Sequence, residues 1–71
     1  MPGHRVVGED RDYWSVMGLV KAVSEKAVLV EIDGLFSDTW LPKSQLEDWP
    51  RQHEHGEVLM TEWIAQQKGI V

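Results

Sequence analysis

Hydrophobic and polar positions alternate most cleanly in "AVLVEID", residues 27–33. In an extended chain Val28, Val30 and Ile32 share one face, while Ala27, Leu29 and Glu31 share the other. A strand packed on one side is predicted there. Asp33-Gly34 follows, a strong hairpin signal, and the return strand lies within Leu35–Leu41. Two loop lengths satisfy the pattern. With a two-residue turn Ile32 pairs with Leu35; with a longer loop Leu35 and Phe36 sit at an exposed tip. Upstream, "YWSVMGLVKAV" (13–23) is apolar and rich in β-formers. Gly18 within it suits a bulge or sharp bend, and Ser24-Glu25-Lys26 is the polar connection.

Downstream, Pro42 ends the return strand because it offers no N–H to a ladder. "KSQLED" (43–48) is short and reads as one tight helical turn. "WPRQHEHG" (49–56) reads as loop, and "EVLMTE" (57–62) as a last strand with Val58 and Met60 on one face. "TEWIAQQKG" (61–69) is a short C-terminal helix. Thr61 can cap its start, Lys68 suits the negative end of its dipole, and Gly69 followed by Ile70 suits its exit. Trp63 is expected to pack inward with Ile64 or Ile70.

Strand, strand, strand, turn, strand and helix make an all-β or β-rich α+β chain. Short antiparallel strands hide their edges best by curling on themselves. The expected fold is a small antiparallel barrel or half-barrel, Src-homology-3-like or OB-like, with a short C-terminal helix. Residues 13–71 form this single domain. Residues 1–12 carry Pro2, Gly3, Gly8 and the run Glu9-Asp10-Arg11-Asp12. They read as a leader, mobile until bound, to which Val6-Val7 can add a short edge strand.

The chain has 71 residues, one domain's worth, and a domain this small buries only about 60% of its unfolded surface. It has no cysteine, so neither a disulfide framework nor a thiolate metal site contributes. Stability then rests on apolar packing, with Trp14, Trp40, Trp49 and Trp63 as large contributors. Seven basic residues against twelve acidic ones give a formal charge of −5. That balance disfavours non-specific binding to nucleic acid and suits docking on a basic partner. The N-terminal stretch lacks the apolar core of about seven residues that a secretory signal needs. No segment approaches the ~18 apolar residues of a membrane span. A soluble, cytoplasmic protein with no membrane partner is expected.

At "VEIDG", "WLPKSQLEDWP", "GEV" and "TEWIAQQKG" the chain resembles a group of small phage and bacterial proteins. In that group a strand ending in Ile-Asp-Gly precedes a Trp-aliphatic-Pro-Lys-Ser-Gln stretch and a C-terminal Glu-Trp-aliphatic-Ala helix ending in Lys-Gly. The resemblance covers residues 26–70 and leaves residues 1–14 outside. The connection from Asp33-Gly34 to Trp40 is longer here than in the group. The group has no assigned catalytic residues, so the resemblance carries none over. It implies a phage or prophage context, and hence a host-cell cytoplasm, where small acidic proteins bind and regulate larger machines.

Each candidate for chemistry has a plain structural alternative. Trp40 and Trp49 could form a platform on which a base or a proline stacks. The preferred reading puts Trp40, which ends a strand and precedes a turn, in the core, and Trp49 as a lid on the barrel end. Tyr13 and Trp14 are adjacent, so in a strand they face opposite ways and one is exposed. Lys43-Ser44 lacks the glycines of a phosphate loop and reads as a solvated turn. His53 and His55 would share a face if both lay in a strand. A zinc site needs three or four ligands in fixed geometry, and this loop offers two, so no metal and no cofactor is expected. Glu9, Asp10, Asp12, Glu31, Asp33, Asp38, Glu47 and Asp48 are scattered rather than paired. No cysteine nucleophile is present, and no serine sits in a Gly-x-Ser-x-Gly elbow.

These observations point to a non-catalytic protein-binding module, and the resemblance implies that it is of phage type. It would dock on a larger protein or complex with a basic surface, as an inhibitor of a host nucleic-acid-handling or defence complex. The candidate contacts are Glu9, Asp10, Tyr13, Trp14, Phe36, Glu47, Asp48 and Trp49. The rival reading is an accessory single-stranded nucleic-acid binder of replication or recombination. It would stack bases on Trp40, Trp49 or Phe36 and hold phosphates with Lys21, Lys26, Lys43 and Arg51. A third reading is a subunit of a homo-oligomer that closes exposed strand edges.

Overall fold

The structure, a computed structural model, describes residues 2–71. It is a bent antiparallel sheet with one short C-terminal helix. Its elements are β1 (His4–Val7), β2 (Asp12–Val23), β3 (Ala27–Ile32), β4 (Thr39–Pro42), a 3-10 turn at Lys43–Gln45, β5 (Leu46–Asp48), β6 (His55–Thr61) and α1 (Glu62–Gln67). The strands lie in the order β4-β3-β2-β6-β5, with β1 added on β2. The edge strand read at Val6-Val7 is present, and it begins at His4.

β2 organises the fold because both halves of the sheet share it. Its first half pairs with β1, from Asp12 to Ser15, and its second with β3, from Gly18 to Val23. Its other edge pairs with β6 from Tyr13 to Leu19. Two residues let one strand serve all three neighbours. A Cβ at Gly18 would stand 2.7 Å from a Val30 methyl and 3.0 Å from the Glu31 carbonyl oxygen, so glycine lets β3 come close. The bulge expected at Gly18 lies instead at Lys21: Val20 pairs with Val30 and Ala22 with Leu29, leaving Lys21 without a partner. A bulge adds local twist and re-aims its side chain. Lys21 is turned outward to solvent, where its ammonium meets Asp38 at 3.0 Å.

The alternation in β3 is realised. Val28, Val30 and Ile32 are buried, Ala27 and Leu29 half-buried, and Glu31 exposed. The longer of the two hairpin loops is the one formed. The Leu35 amide closes a turn on the Ile32 carbonyl at 3.1 Å, with Gly34 at φ +90°, and pairing resumes only at Val30 and Thr39. Leu35 packs against the core, while Phe36 is fully exposed at the tip.

Two tryptophans expected inside are outside. In β4 Leu41 pairs with Val28 and is fully buried, so alternation turns Trp40 outward beside Leu29, 46% exposed. In α1 the inward positions are Ile64 and Ala65, and Trp63 is 55% exposed. The tight turn predicted over 43–48 covers only Lys43–Gln45. Leu46 is instead paired with Met60 and buried, which makes the following residues a strand. The last strand starts two residues earlier than predicted, at His55.

The interior is filled by Trp14, Val16, Val20, Val28, Val30, Ile32, Leu41, Leu46, Val58, Met60, Ile64, Ala65 and Ile70. Both ends of α1 behave as their sequence implies. The Thr61 hydroxyl accepts from the Ile64 amide at 3.3 Å. At the exit Gly69 adopts φ +72°, its amide reaches the Gln66 carbonyl, and the Ile70 amide reaches that of Ala65. This pair of bonds is the Schellman closure, and it folds Ile70 back into the core.

Candidate functional site

The ladder β2-β6-β5 collects residues that are distant in sequence. Tyr13 pairs with Thr61 across β2 and β6, and β5 lies on the far side of β6. The Tyr13 hydroxyl therefore reaches Glu47 and donates to its carboxylate at 3.1 Å. That bond raises the phenol above its ordinary value, with desolvation and the Glu47 charge acting in the same direction. Next to Tyr13, the β1–β2 turn closes through the Gly8 amide and the Arg11 carbonyl at 3.1 Å. A Cβ at Gly8 would come within 2.9 Å of the Tyr13 ring, so the turn lies against it. Glu9 and Asp10 project from that turn and are exposed, as are Glu47 and Asp48 on β5.

Five of the expected contacts, Glu9, Asp10, Tyr13, Glu47 and Asp48, thus fall at one end of the sheet. The other three do not join them as expected. Trp14 is buried at 8% exposure and offers no contact area. Its indole N–H donates instead to the Pro2 carbonyl at 3.0 Å. Trp49 is half-buried and packs on the core, and Phe36 sits on the β3–β4 loop.

An open groove of about 530 Å³ adjoins the same end, lined by Arg11, Asp12, Gln45, Thr61, Glu62 and Trp63. Arg5 of β1 donates through Nε to Glu62 and lies 3.9 Å from Asp12. The bond to Glu62 raises the Arg5 guanidinium further, so it stays charged. Thr61 donates to Gln45 at 2.7 Å. Asp12, Glu62 and Trp63 were not among the contacts expected from the sequence. The signal for Trp63 was there: Thr61, Ile64 and Ala65 stand three and four apart, which puts Trp63 on the opposite face of the helix.

A second open groove, of about 490 Å³, is lined by residues that include His4, Ser15, Met17, Asp33 and Glu57. Two of its polar groups are paired within it, and a third is held by a neighbour. The Ser15 hydroxyl donates to Glu57 at 2.5 Å, and His55 Nε2 meets the Asp33 carboxylate at 2.9 Å. Among the described residues every buried side-chain polar atom has a hydrogen-bond partner. Among them also, no group of three His, Cys, Asp or Glu side chains is placed to hold a metal ion. His53 sits in a turn at φ +70° and His55 begins β6, so the two do not share a strand face.

The residues of the nucleic-acid reading divide. Trp40 is half-exposed on the outer face of β4. Lys26 and Lys43 are neighbours, because the Lys43 amide donates to the Lys26 carbonyl at 2.8 Å. Lys21 is engaged by Asp38, and the hydrogen bond raises its ammonium above the ordinary value. Arg51 lies on the β5–β6 loop. No helix among the described residues is long and apolar enough to cross a membrane. No family model, no curated protein and no solved structure matches the chain, so its geometry carries the functional reading.

Proposed function

We propose that this chain is a non-catalytic protein-binding module of phage type that docks its acidic end on a basic surface of a larger protein. One observation carries the reading: exposed Glu9, Asp10, Glu47 and Asp48 lie on the turn and strand that meet at Tyr13, and Asp12 and Glu62 line the adjoining groove with a partly exposed Trp63. Aromatic anchors supply much of the energy in protein interfaces, while charges steer encounter and fix orientation. The two grooves are open to solvent rather than enclosed, which suits contact with a partner's surface. A basic channel of a host nucleic-acid-handling or defence complex is the kind of surface such an end fits.

The test is capture from bacterial lysate at two salt concentrations, followed by titration with the purified captured protein. Replacing Glu9, Asp10, Glu47 and Asp48 together by their amides should weaken binding at least tenfold and flatten its salt dependence. Undiminished binding by that variant would remove the acidic end as the docking surface.

The runner-up is single-strand nucleic-acid binding on the outer face of β4, favoured by the half-exposed Trp40 on that strand and the Lys26–Lys43 pair at its end. Against it, Asp38 already neutralises Lys21, and Arg51 belongs to another loop. Salt-sensitive quenching of tryptophan fluorescence by an oligonucleotide, lost in Trp40→Ala, would favour it over the first reading.

A further inference from the structure

We infer that the groove beside Trp63 seats an arginine side chain presented by the protein partner. The inference rests on the docking reading above and names the residue that the acidic end selects.

Three observations lead there. The first is the wall: Trp63 lines the groove, and its indole is more than half exposed although the helix has an inward face available. An exposed indole face attracts a cation placed over it. The second is the chain's own Arg5, which shows what these carboxylates hold. Its Nε donates to Glu62 Oε2, and the same nitrogen stands 3.9 Å from Asp12, too far for a hydrogen bond. An ionised carboxylate has about four lone-pair sites. Arg5 therefore leaves acceptor capacity on Glu62 and on Asp12 facing the groove.

The third observation is charge. Within the groove Asp12 and Glu62 are accompanied by Arg11 and Arg5, and the uncompensated carboxylates are Glu9, Asp10, Glu47 and Asp48 on the neighbouring turn and strand. The chain as a whole carries −5, so a cationic side chain is drawn in from a distance and an anionic one is repelled.

Arginine fits this setting better than lysine. A guanidinium is planar and weakly hydrated, so it can lie flat on the indole while its edge donates to carboxylates beside the ring. An ammonium is a compact, strongly hydrated charge that cannot satisfy both partners in the same way. Gln45, held by Thr61 at 2.7 Å, closes one side of the groove with a neutral polar group.

The test uses the isotopically labelled full chain and two capped tripeptides, Gly-Arg-Gly and Gly-Lys-Gly, titrated by NMR. The arginine peptide should shift the Trp63 indole N–H and the Glu62 amide. It should bind about two- to fivefold tighter than the lysine peptide, the ratio expected of cation–π attraction at an exposed site. Trp63→Ala should bring the two peptides to equal affinity; its exposure makes the variant safe for folding. Equal affinities in the unaltered protein, with both lost at high salt, would overturn the arginine seat and leave acidic docking standing. An arginine preference that survives Trp63→Ala would overturn the seat as well. No response to either peptide would overturn the seat, while the docking end stands or falls with the four-amide variant.

Discussion

The indole N–H of Trp14 donates to the carbonyl of Pro2 across 3.0 Å, joining a core aromatic of β2 to the start of the chain. Trp14→Phe keeps an aromatic ring in the core but removes this donor. Loss of a hydrogen bond of this kind costs about 1 kcal/mol, and the smaller ring adds to that through packing. Hydrogen exchange should show protection falling most at His4–Val7 and least in β3. Uniform loss of protection across both strands would contradict the role assigned to this bond.

Leu41 and Trp40 are neighbours with opposite environments, and the larger one should matter less to folding. Leu41 is fully buried against Val28, so Leu41→Ala should cost about 2–5 kcal/mol through lost transfer energy and the cavity left behind. Trp40→Ala on the outer face should cost about 1 kcal/mol or less. Urea denaturation of the two variants gives the order directly.

Helix α1 has six residues, too few to stand alone, so its caps and its packing decide whether it forms. Thr61→Ala removes the oxygen that accepts from the Ile64 amide, at a cost of about 0.5–2 kcal/mol. Gly69→Ala places a Cβ in the left-handed region at φ +72°, which costs about 1–2 kcal/mol. A Cβ there would meet nothing within 4 Å, so the penalty is conformational rather than steric contact. Thermal melts of both variants should show reduced stability, with Thr61→Asn less affected than Thr61→Ala.

Tyr13 gives the fold an alkaline sensitivity. Its phenol is raised first by the hydrogen bond it donates to Glu47. A group with a raised folded pKa adds stability that is complete below its unfolded value, about 10 for tyrosine. That stability is lost as pH climbs through the folded value. Tyr13 is the only tyrosine in the chain, so an absorbance titration reports it alone. Tyr13→Phe should be less stable than the parent at neutral pH, and the gap should close above the folded pKa. A gap that stays constant would exclude the Tyr13–Glu47 bond as its source.

What the sequence makes legible follows physical cues that are local. Alternation around Val28, Val30 and Ile32 gives β3 its inward face, and Asp33-Gly34 marks the turn. Thr61, Gly69 and Ile70 give both ends of α1, because caps act within one turn. The misplacements share one cause. Trp40 and Trp63 are large and apolar, and size was allowed to outweigh phase. Alternation from Leu41, and the three-and-four spacing of Thr61, Ile64 and Ala65, already turned both outward. The bulge at Lys21 left no local mark, since it is set by how β2 must meet β3 and β6 at once. Neither could the sequence show that Glu9, Asp10, Tyr13, Glu47 and Asp48 meet, because β6 enters between β2 and β5 only in the folded sheet.

β2 is shared by both halves of the sheet, and this has a consequence for how the molecule comes apart. A chain severed in the Ser24–Lys26 connection would yield one piece holding the central strand without most of its neighbours. The other piece would hold those neighbours without the strand they flank. Neither fragment owns a complete layer, so each alone should be unstructured, and mixing the two should restore the native state as a noncovalent pair.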